Sequence, residues 1–268
     1  MILKSPSDVA FSIWGFPVYW YGIILAFACF VAVFIAQRVY SKIYKPDTKE
    51  AILELAPFVV ILGILGARLY YCFLNFSYYF VNPIEIFYIR GGGLSIHGAL
   101  IAGILGLWIA SKKYKINFAS LLDVFAVGTV FAQSVGRWGN FFNNEAFGLP
   151  YDGFLKLYIP LKNRPLGFEN VEFYHPTFLY ESLLDLLIFG VLLFVINKFG
   201  TKFKGLTLAL YLILYSLARF LVEGLRMDSA LNIAGVHVAQ IISVLIFVFA
   251  FVLALFVFFK KSKSFPNN

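Results

Sequence analysis

Seven stretches of this chain are apolar for the length a helix needs to cross a bilayer. They fall near 18–37, 51–74, 94–111, 119–136, 177–197, 206–224 and 236–259, and about 20 residues suffice for roughly 30 Å of hydrocarbon. A helix that is apolar nearly all round is one surrounded by lipid or by other helices. The pattern predicts an all-α polytopic membrane protein with about seven transmembrane helices, forming a single integral membrane domain over 1–268. The third and fourth runs are short, which suggests spans that end in functional loops. The longest non-apolar segment, 148–176, carries Pro150, Gly153, Pro160, Pro165 and Gly167. It reads as an extracytoplasmic loop or small head, too short for a core of its own.

Composition removes the soluble classes. With 268 residues, 61% of them hydrophobic and 13% charged, the chain is too apolar for a soluble domain. A net charge of +8 would suggest nucleic acid in a soluble protein, but here the basic residues collect in short loops between apolar runs, which is a topology signal. The loops after spans one, three, five and seven carry thirteen of the 22 Lys and Arg, among them Arg38, Lys112, Lys198 and Lys260. The other side carries seven over longer segments, while Arg68 and Arg219 lie inside spans. This bias places the N-terminus outside and the C-terminus in the cytoplasm. Lys4 and Asp8 precede the first run and no small-residue cleavage site follows it, so it reads as a retained span and not a removed signal peptide. Cys29 and Cys72 lie in apolar runs and read as small hydrophobes, with no structural disulfide expected. Three histidines on separate segments make no metal site, and no cofactor is implied.

One stretch breaks the economy of the rest. Gly136-Arg137-Trp138-Gly139-Asn140-Phe141-Phe142-Asn143-Asn144-Glu145-Ala146-Phe147-Gly148 ends an apolar run with one Arg, three Asn and one Glu. Polar groups at membrane depth are expensive unless they pair or line a wet cavity, so the cluster is a candidate site. The glycines let backbone turn or approach a ligand, and Arg137 can grip a phosphate or carboxylate with two parallel bonds. Two plainer readings stand beside this one: a helix-ending loop capped by its own Asn side chains, and a helix contact made close by small residues.

Three further stretches put polar groups on the same outer side. Gly91-Gly92-Gly93-Leu94-Ser95-Ile96-His97-Gly98 is a glycine-rich lead-in to span three with a histidine one turn inside; a structural, hydrogen-bonded His97 is the plain alternative. His175-Pro176-Thr177-Phe178-Leu179-Tyr180-Glu181 makes a helix start, with Glu181 and Asp185 on one face of span five, and part of it reads as helix-end architecture with His175 as an interface anchor. Tyr215, Arg219, Glu223 and Arg226 share a stripe of span six, where Arg219 and Glu223 can satisfy each other. Arg68 and Glu54 return to nearly the same face of span two and read as a structural set. Arginines in an outward-facing intramembrane cavity imply an anionic ligand, and phospholipid head groups already lie at that depth.

These residues resemble a family. Gly136-Arg137-x-Gly139-Asn140-Phe141-x-Asn143-x-Glu145-x-x-Gly148 is similar to the signature of bacterial phosphatidylglycerol:prolipoprotein diacylglyceryl transferases. So are Trp20-Tyr21-Gly22, Gly93 to Gly98 with its His, His175-Pro176-x-x-Leu179-Tyr180-Glu181 and Arg219-Phe220-x-Val222-Glu223-x-x-Arg226, in the expected order from about 13 to 228. The chain departs where the family pattern ends in Pro-Asp: here Met227-Asp228-Ser229 follows Arg226, which bears on any role for Asp228. The resemblance implies an enzyme of the bacterial cytoplasmic (inner) membrane, with its active site towards the outer leaflet. Its partners would be phosphatidylglycerol and prolipoprotein signal peptides with a lipobox cysteine, and no nucleic acid. The diacylglyceryl unit moves to the cysteine thiol, a thioether forms and glycerol phosphate leaves.

The resemblance implies His97, Arg137, Asn140, Glu145, Gly148, Arg219 and Glu223 as essential, with Tyr21, Tyr215 and Arg226 as supports; Asn143 and His175 join the head-group contacts. The chemistry of these side chains is consistent. His97 suits a base for the thiol, Arg137 and Arg219 suit the phosphate, and Glu145 and Glu223 can orient the arginines or the glycerol hydroxyls. A transporter or flippase for an anionic lipid or amphiphile would also need a cationic cavity. It predicts inverted repeats and interrupted helices, and neither is evident in the sequence.

Overall fold

The computed structural model describes residues 1–44, 50–89, 92–227, 232–233 and 236–262. Gly91, Asp228 and, among the charges used for orientation, Lys45, Lys49, Arg90 and Lys263 lie outside the described residues. In chain order the elements are β1 (Ile2–Lys4), β2 (Val9–Ile13), β3 (Phe16–Tyr19), α1 (Trp20–Tyr44), α2 (Ala51–Leu74), α3 (Phe76–Val81), α4 (Ile96–Lys113) and α5 (Phe118–Asn143), followed by β4 (Lys156–Tyr158), β5 (Phe173–Tyr174), α6 (Thr177–Phe199), α7 (Leu206–Glu223) and α8 (Val238–Ser262). Each predicted span is a helix. Among the described residues, six helices are long and apolar enough to cross a membrane: α1, α2, α5, α6, α7 and α8. The predicted third span is α4, whose 18 residues include His97, Lys112 and Lys113, so its uninterrupted apolar stretch is shorter than the others. The chain is a multi-pass membrane protein.

The fold divides into two compact units, Met1–Ala36 with Asp123–Asn268, and Gln37–Leu122. In the second unit, α2 and α4 pack backbone to backbone. A Cβ on Gly98 would collide with the Gly66 carbonyl, and one on Gly66 with Ala102; only small residues allow helices this close. The Gln37 side-chain oxygen Oε1 accepts the Ile52 and Leu53 amides at 3.0 and 3.2 Å and so satisfies two donors at the start of α2. Arg68, 5% exposed, donates to the carbonyls of Glu85, Ile86, Tyr88, Gly92 and Gly93. Its predicted structural role is thus a specific one: it gathers the irregular chain before α4, which Gly92 and Gly93 turn through φ of 90° and 74°.

The first unit is held by polar contacts placed where helices meet. The Asp123 carboxylate accepts the amides of Gly205 (2.6 Å) and Leu208 (2.8 Å), which makes it the cap of α7 from α5. Ser182 of α6 donates to the Ser134 carbonyl of α5 at 2.8 Å. Outward faces are apolar: Phe249 and Phe256 of α8 are 62% and 60% exposed, as expected for lipid-facing side chains.

The 148–176 segment forms a small head. Parallel pairing of β1 with β4 and antiparallel pairing of β4 with β5 give a three-stranded sheet in the order β1-β4-β5. Its core is borrowed, as so short a segment requires: Leu157, Ile159 and Tyr174 close over Phe147 and over Phe178 of α6, with Leu3, Phe141 and Met227 at the edge. β2 and β3 form a hairpin whose two-residue turn, Trp14-Gly15, has φ of 50° and 81°, the mirror-image turn that matches strand twist.

Candidate active site

The signature stretch is helical where the sequence suggested a loop. α5 continues through Asn143, so Gly136 and Gly139 are helix residues and not turns. Gly139 serves close packing: a Cβ there would stand 2.7 Å from the Tyr21 ring, and the next aromatic pair, Trp20 on Phe142, stacks at 5.0 Å. The chain then turns sharply at Asn144 and Ala146, with φ of 53° and 56°. In this turn the Glu145 carboxylate accepts Asn140 Nδ2 at 2.8 Å and Asn143 Nδ2 at 3.3 Å. Glu145 therefore orders these two amides, where the sequence suggested the arginines or the glycerol hydroxyls as its partners. The Tyr21 phenol lies within electrostatic reach of both Glu145 and Arg137.

Gly148 marks a junction of three segments. Its amide donates to the His175 carbonyl (2.9 Å), Leu149 donates to the Leu225 carbonyl (2.8 Å), and Thr177 Oγ1 donates to the Ala146 carbonyl (2.6 Å). A side chain on Gly148 has no room, since its Cβ would lie 2.7 Å from His175 Cβ and 2.8 Å from the Leu225 oxygen. Gly148 thus allows a close approach between these segments. Arg226 pairs by its backbone with Gly148, so the end of α7 is fixed to the end of the signature. His175 stacks on Tyr151 at 3.9 Å, and its Nδ1 meets the Tyr180 hydroxyl at 3.2 Å. Burial holds this imidazole below its ordinary pKa. Tyr151 and Tyr180 between them fix the orientation of this ring.

The centre of the site is Glu181. One carboxylate oxygen lies 2.9 Å from Arg137 Nε and the other accepts from Arg219 Nη1. The Arg137 contact is out of line for a hydrogen bond, since both atoms lack a partner by that stricter measure; it is a Coulombic pair. Arg219 Nη2 stands 2.6 Å from Glu223. A chain of alternating charge thus runs Arg137, Glu181, Arg219, Glu223 across α5, α6 and α7, with Glu181 5% and Glu223 2% exposed. His237 Nδ1 meets the Glu223 carbonyl at 3.1 Å. Tyr215 is within electrostatic reach of Arg137, Arg219, Glu181 and Asp185.

The two arginines differ in what they leave open. Arg219 has both terminal nitrogens on carboxylates, whereas Arg137 makes its ion pair through Nε alone. Among the described residues nothing pairs with Arg137 Nη1 or Nη2. That edge, beside the Asn140 amide one turn away, is an open donor surface among the described residues.

Arg137, Asn140, Asn143, Glu145, Gly148, His175, Tyr215, Arg219, Glu223, Arg226 and Tyr21 all belong to the first unit; His97 belongs to the second, on the first turn of α4 with its ring 6.3 Å from that of Tyr70. Glu181 and Asp185 were legible as carboxylates on one face of span five, and Glu181 as part of a family motif, but neither as the centre of the site. Two carboxylates four apart in a run otherwise fit for lipid were the available signal.

The family model for prolipoprotein diacylglyceryl transferase matches residues 8–256. A protein named phosphatidylglycerol–prolipoprotein diacylglyceryl transferase from Parasynechococcus marenigrum (strain WH8102) is 40% identical, covering 92% of each chain. Proteins of the same name from Prochlorococcus marinus (strain MIT 9301) and Fervidobacterium nodosum are 37% and 43% identical, covering 91% and 89% of this chain and 90% and 81% of theirs. Matched along nearly its whole length by family model and relatives alike, the chain belongs to the prolipoprotein diacylglyceryl transferase family.

Proposed function

We infer that this chain moves the diacylglyceryl group of phosphatidylglycerol onto the lipobox cysteine thiol of a prolipoprotein, at the outer leaflet of the bacterial inner membrane. The single observation that carries the reading is the Arg137 guanidinium: clamped at Nε by a buried carboxylate, with its Nη edge open. A planar fork fixed at one side suits a phosphodiester, which accepts two parallel N–H bonds. The Asn140 and Asn143 amides, ordered by Glu145, suit the glycerol hydroxyls of the head group. Arg219, tied to two carboxylates, holds Glu181 in place and adds positive field at the phosphate as charge develops there.

In the reaction the cysteine sulfur attacks the diacylglyceryl carbon bonded to the phosphate oxygen. The S–C bond forms, the C–O bond breaks, and glycerol phosphate leaves with the electron pair. The thiol proton needs an acceptor, because a cysteine with pKa near 8.5 is mostly protonated at neutral pH. On chemical grounds that acceptor is His97, since a neutral imidazole nitrogen can take a proton as general base. Purified protein supplied with phosphatidylglycerol and a lipobox peptide should release glycerol phosphate and yield a thioether-linked peptide. Lipid translocation without such release would point to the transporter reading. Loss of transfer in His97→Asn with recovery at high pH supports the base role, and unchanged activity at every pH removes it.

A further inference from the structure

We infer that Asp185 is a positioning residue of the anion site: a proton on its carboxyl lets the buried arginine cluster accept a phosphodiester monoanion. This rests on the reading that Arg137 receives the lipid phosphate.

Asp185 lies one turn beyond Glu181 on α6, eight residues and so about 12 Å from the start of the helix. It is 2% exposed, and its Oδ2 is buried without a hydrogen-bond partner among the described residues. An ionised carboxylate with an unpartnered oxygen at such depth is costly unless it neutralises or gains a partner. Among the described residues, the charged and titratable groups facing it are Arg137 from α5, Arg219, Tyr211 and Tyr215 from α7, and Glu181 from its own helix. The Tyr211 hydroxyl is directed elsewhere, donating to the Gln133 carbonyl oxygen at 3.0 Å.

The charge count then decides. Arg137 and Arg219 are balanced by Glu181 and Glu223 through the ion pairs already described. An ionised Asp185 leaves this set one negative charge in excess, and the lipid phosphodiester brings another to the Arg137 edge. Two uncompensated anions in a site of low dielectric repel strongly, and protonating the one that is not hydrogen-bonded relieves this at least cost. A proton from the outer aqueous phase forms an O–H bond on Asp185 as the phosphodiester docks; no bond of the lipid breaks in this step. Binding and protonation are thereby linked, and affinity for the anionic lipid falls as pH rises, by as much as about tenfold per pH unit while one proton is taken up.

The test is titration of short-chain phosphatidylglycerol into the purified full-length protein in detergent, between about pH 5 and 9, for wild type, Asp185→Asn and Arg137→Ala. Asn carries the shape of the neutral acid, so Asp185→Asn should bind with an affinity that no longer varies with pH, close to the wild-type value at the acid end. At the alkaline end of this range, binding heats in two buffers of different ionisation enthalpy should show uptake approaching one proton per lipid by wild type and none by the variant. Wild-type pH dependence retained in Asp185→Asn overturns the inference, as does the absence of proton uptake by wild type, a measurement that stands even where the substitution impairs folding. Wild-type binding no tighter than that of Arg137→Ala overturns instead the phosphate reading beneath it.

Discussion

Replacing Glu181 with Gln tests whether the site is built around that carboxylate. The substitution keeps one acceptor oxygen and turns the other into an amide donor, so one of the two guanidinium groups loses its partner and faces a like dipole. Breaking one side of a buried ion pair costs about 3 to 5 kcal/mol. The side chains are 6% exposed at Glu181, 18% at Arg137 and 20% at Arg219; partial solvation of the arginines puts the cost at the lower end, about 3 kcal/mol. If that interaction orients Arg137 in the transition state, kcat/KM falls by about 10²-fold, since 1.36 kcal/mol is worth a factor of ten. The assay is glycerol phosphate release from phosphatidylglycerol with a lipobox peptide, run on Glu181→Gln, Arg137→Ala and the double variant. Because Glu181 acts through Arg137, the double variant should be scarcely worse than Arg137→Ala, with a coupling of about 2 kcal/mol or more. A Glu181→Gln enzyme within threefold of wild type, or losses that simply add, would refute the bridging role.

Arg137→Lys keeps the charge and loses the fork; transfer should fall by at least about 10²-fold, and near wild-type rates in the same assay would count against phosphate clamping. Gly148→Ala should lower stability by about 1 to 3 kcal/mol, because the new methyl collides with His175 and the Leu225 carbonyl; a lowered thermal midpoint of the purified protein is the readout, and an unchanged one refutes the crowding. His175 has its pKa lowered by burial, so the folded protein holds its neutral form and the unfolded chain binds the proton first. The stability from this group is therefore present above an unfolded value of about 6.5 and is lost as pH falls; His175→Gln should flatten that part of a midpoint-against-pH curve.

The membrane-spanning helices were readable because burial in lipid imposes its own pattern: a long apolar run cannot be anything else, and the start of α2 and of α6 fell where the runs began. The ends were less legible. The polar residues of 137–143 looked like loop, but the backbone of a helix satisfies itself and so α5 could carry Arg137 and Asn140 inward without leaving helical geometry. The N-terminal strand and hairpin were missed for a different reason. β1 exists through pairing with β4, which lies more than 150 residues away, and no local pattern announces a partner at that distance. Only the tight Trp14-Gly15 turn between alternating residues hinted at the hairpin.

The site divides in the same way. The sequence alone marked which residues were candidates for chemistry, since an arginine, a carboxylate or an amide inside an apolar run must pair or line a wet cavity, and the order of motifs pointed to the family before any coordinates. Who holds whom belonged to the tertiary structure. Arg219 and Glu223 could be paired from their spacing on one helix, but the bridge from Glu181 to Arg137 and Arg219 joins three helices. So too the division of labour between an arginine with both ends engaged and one with an open edge, and the isolation of Asp185, follow from how α5, α6 and α7 pack. Spacing along a chain fixes which side chains share a face; only packing fixes which faces meet.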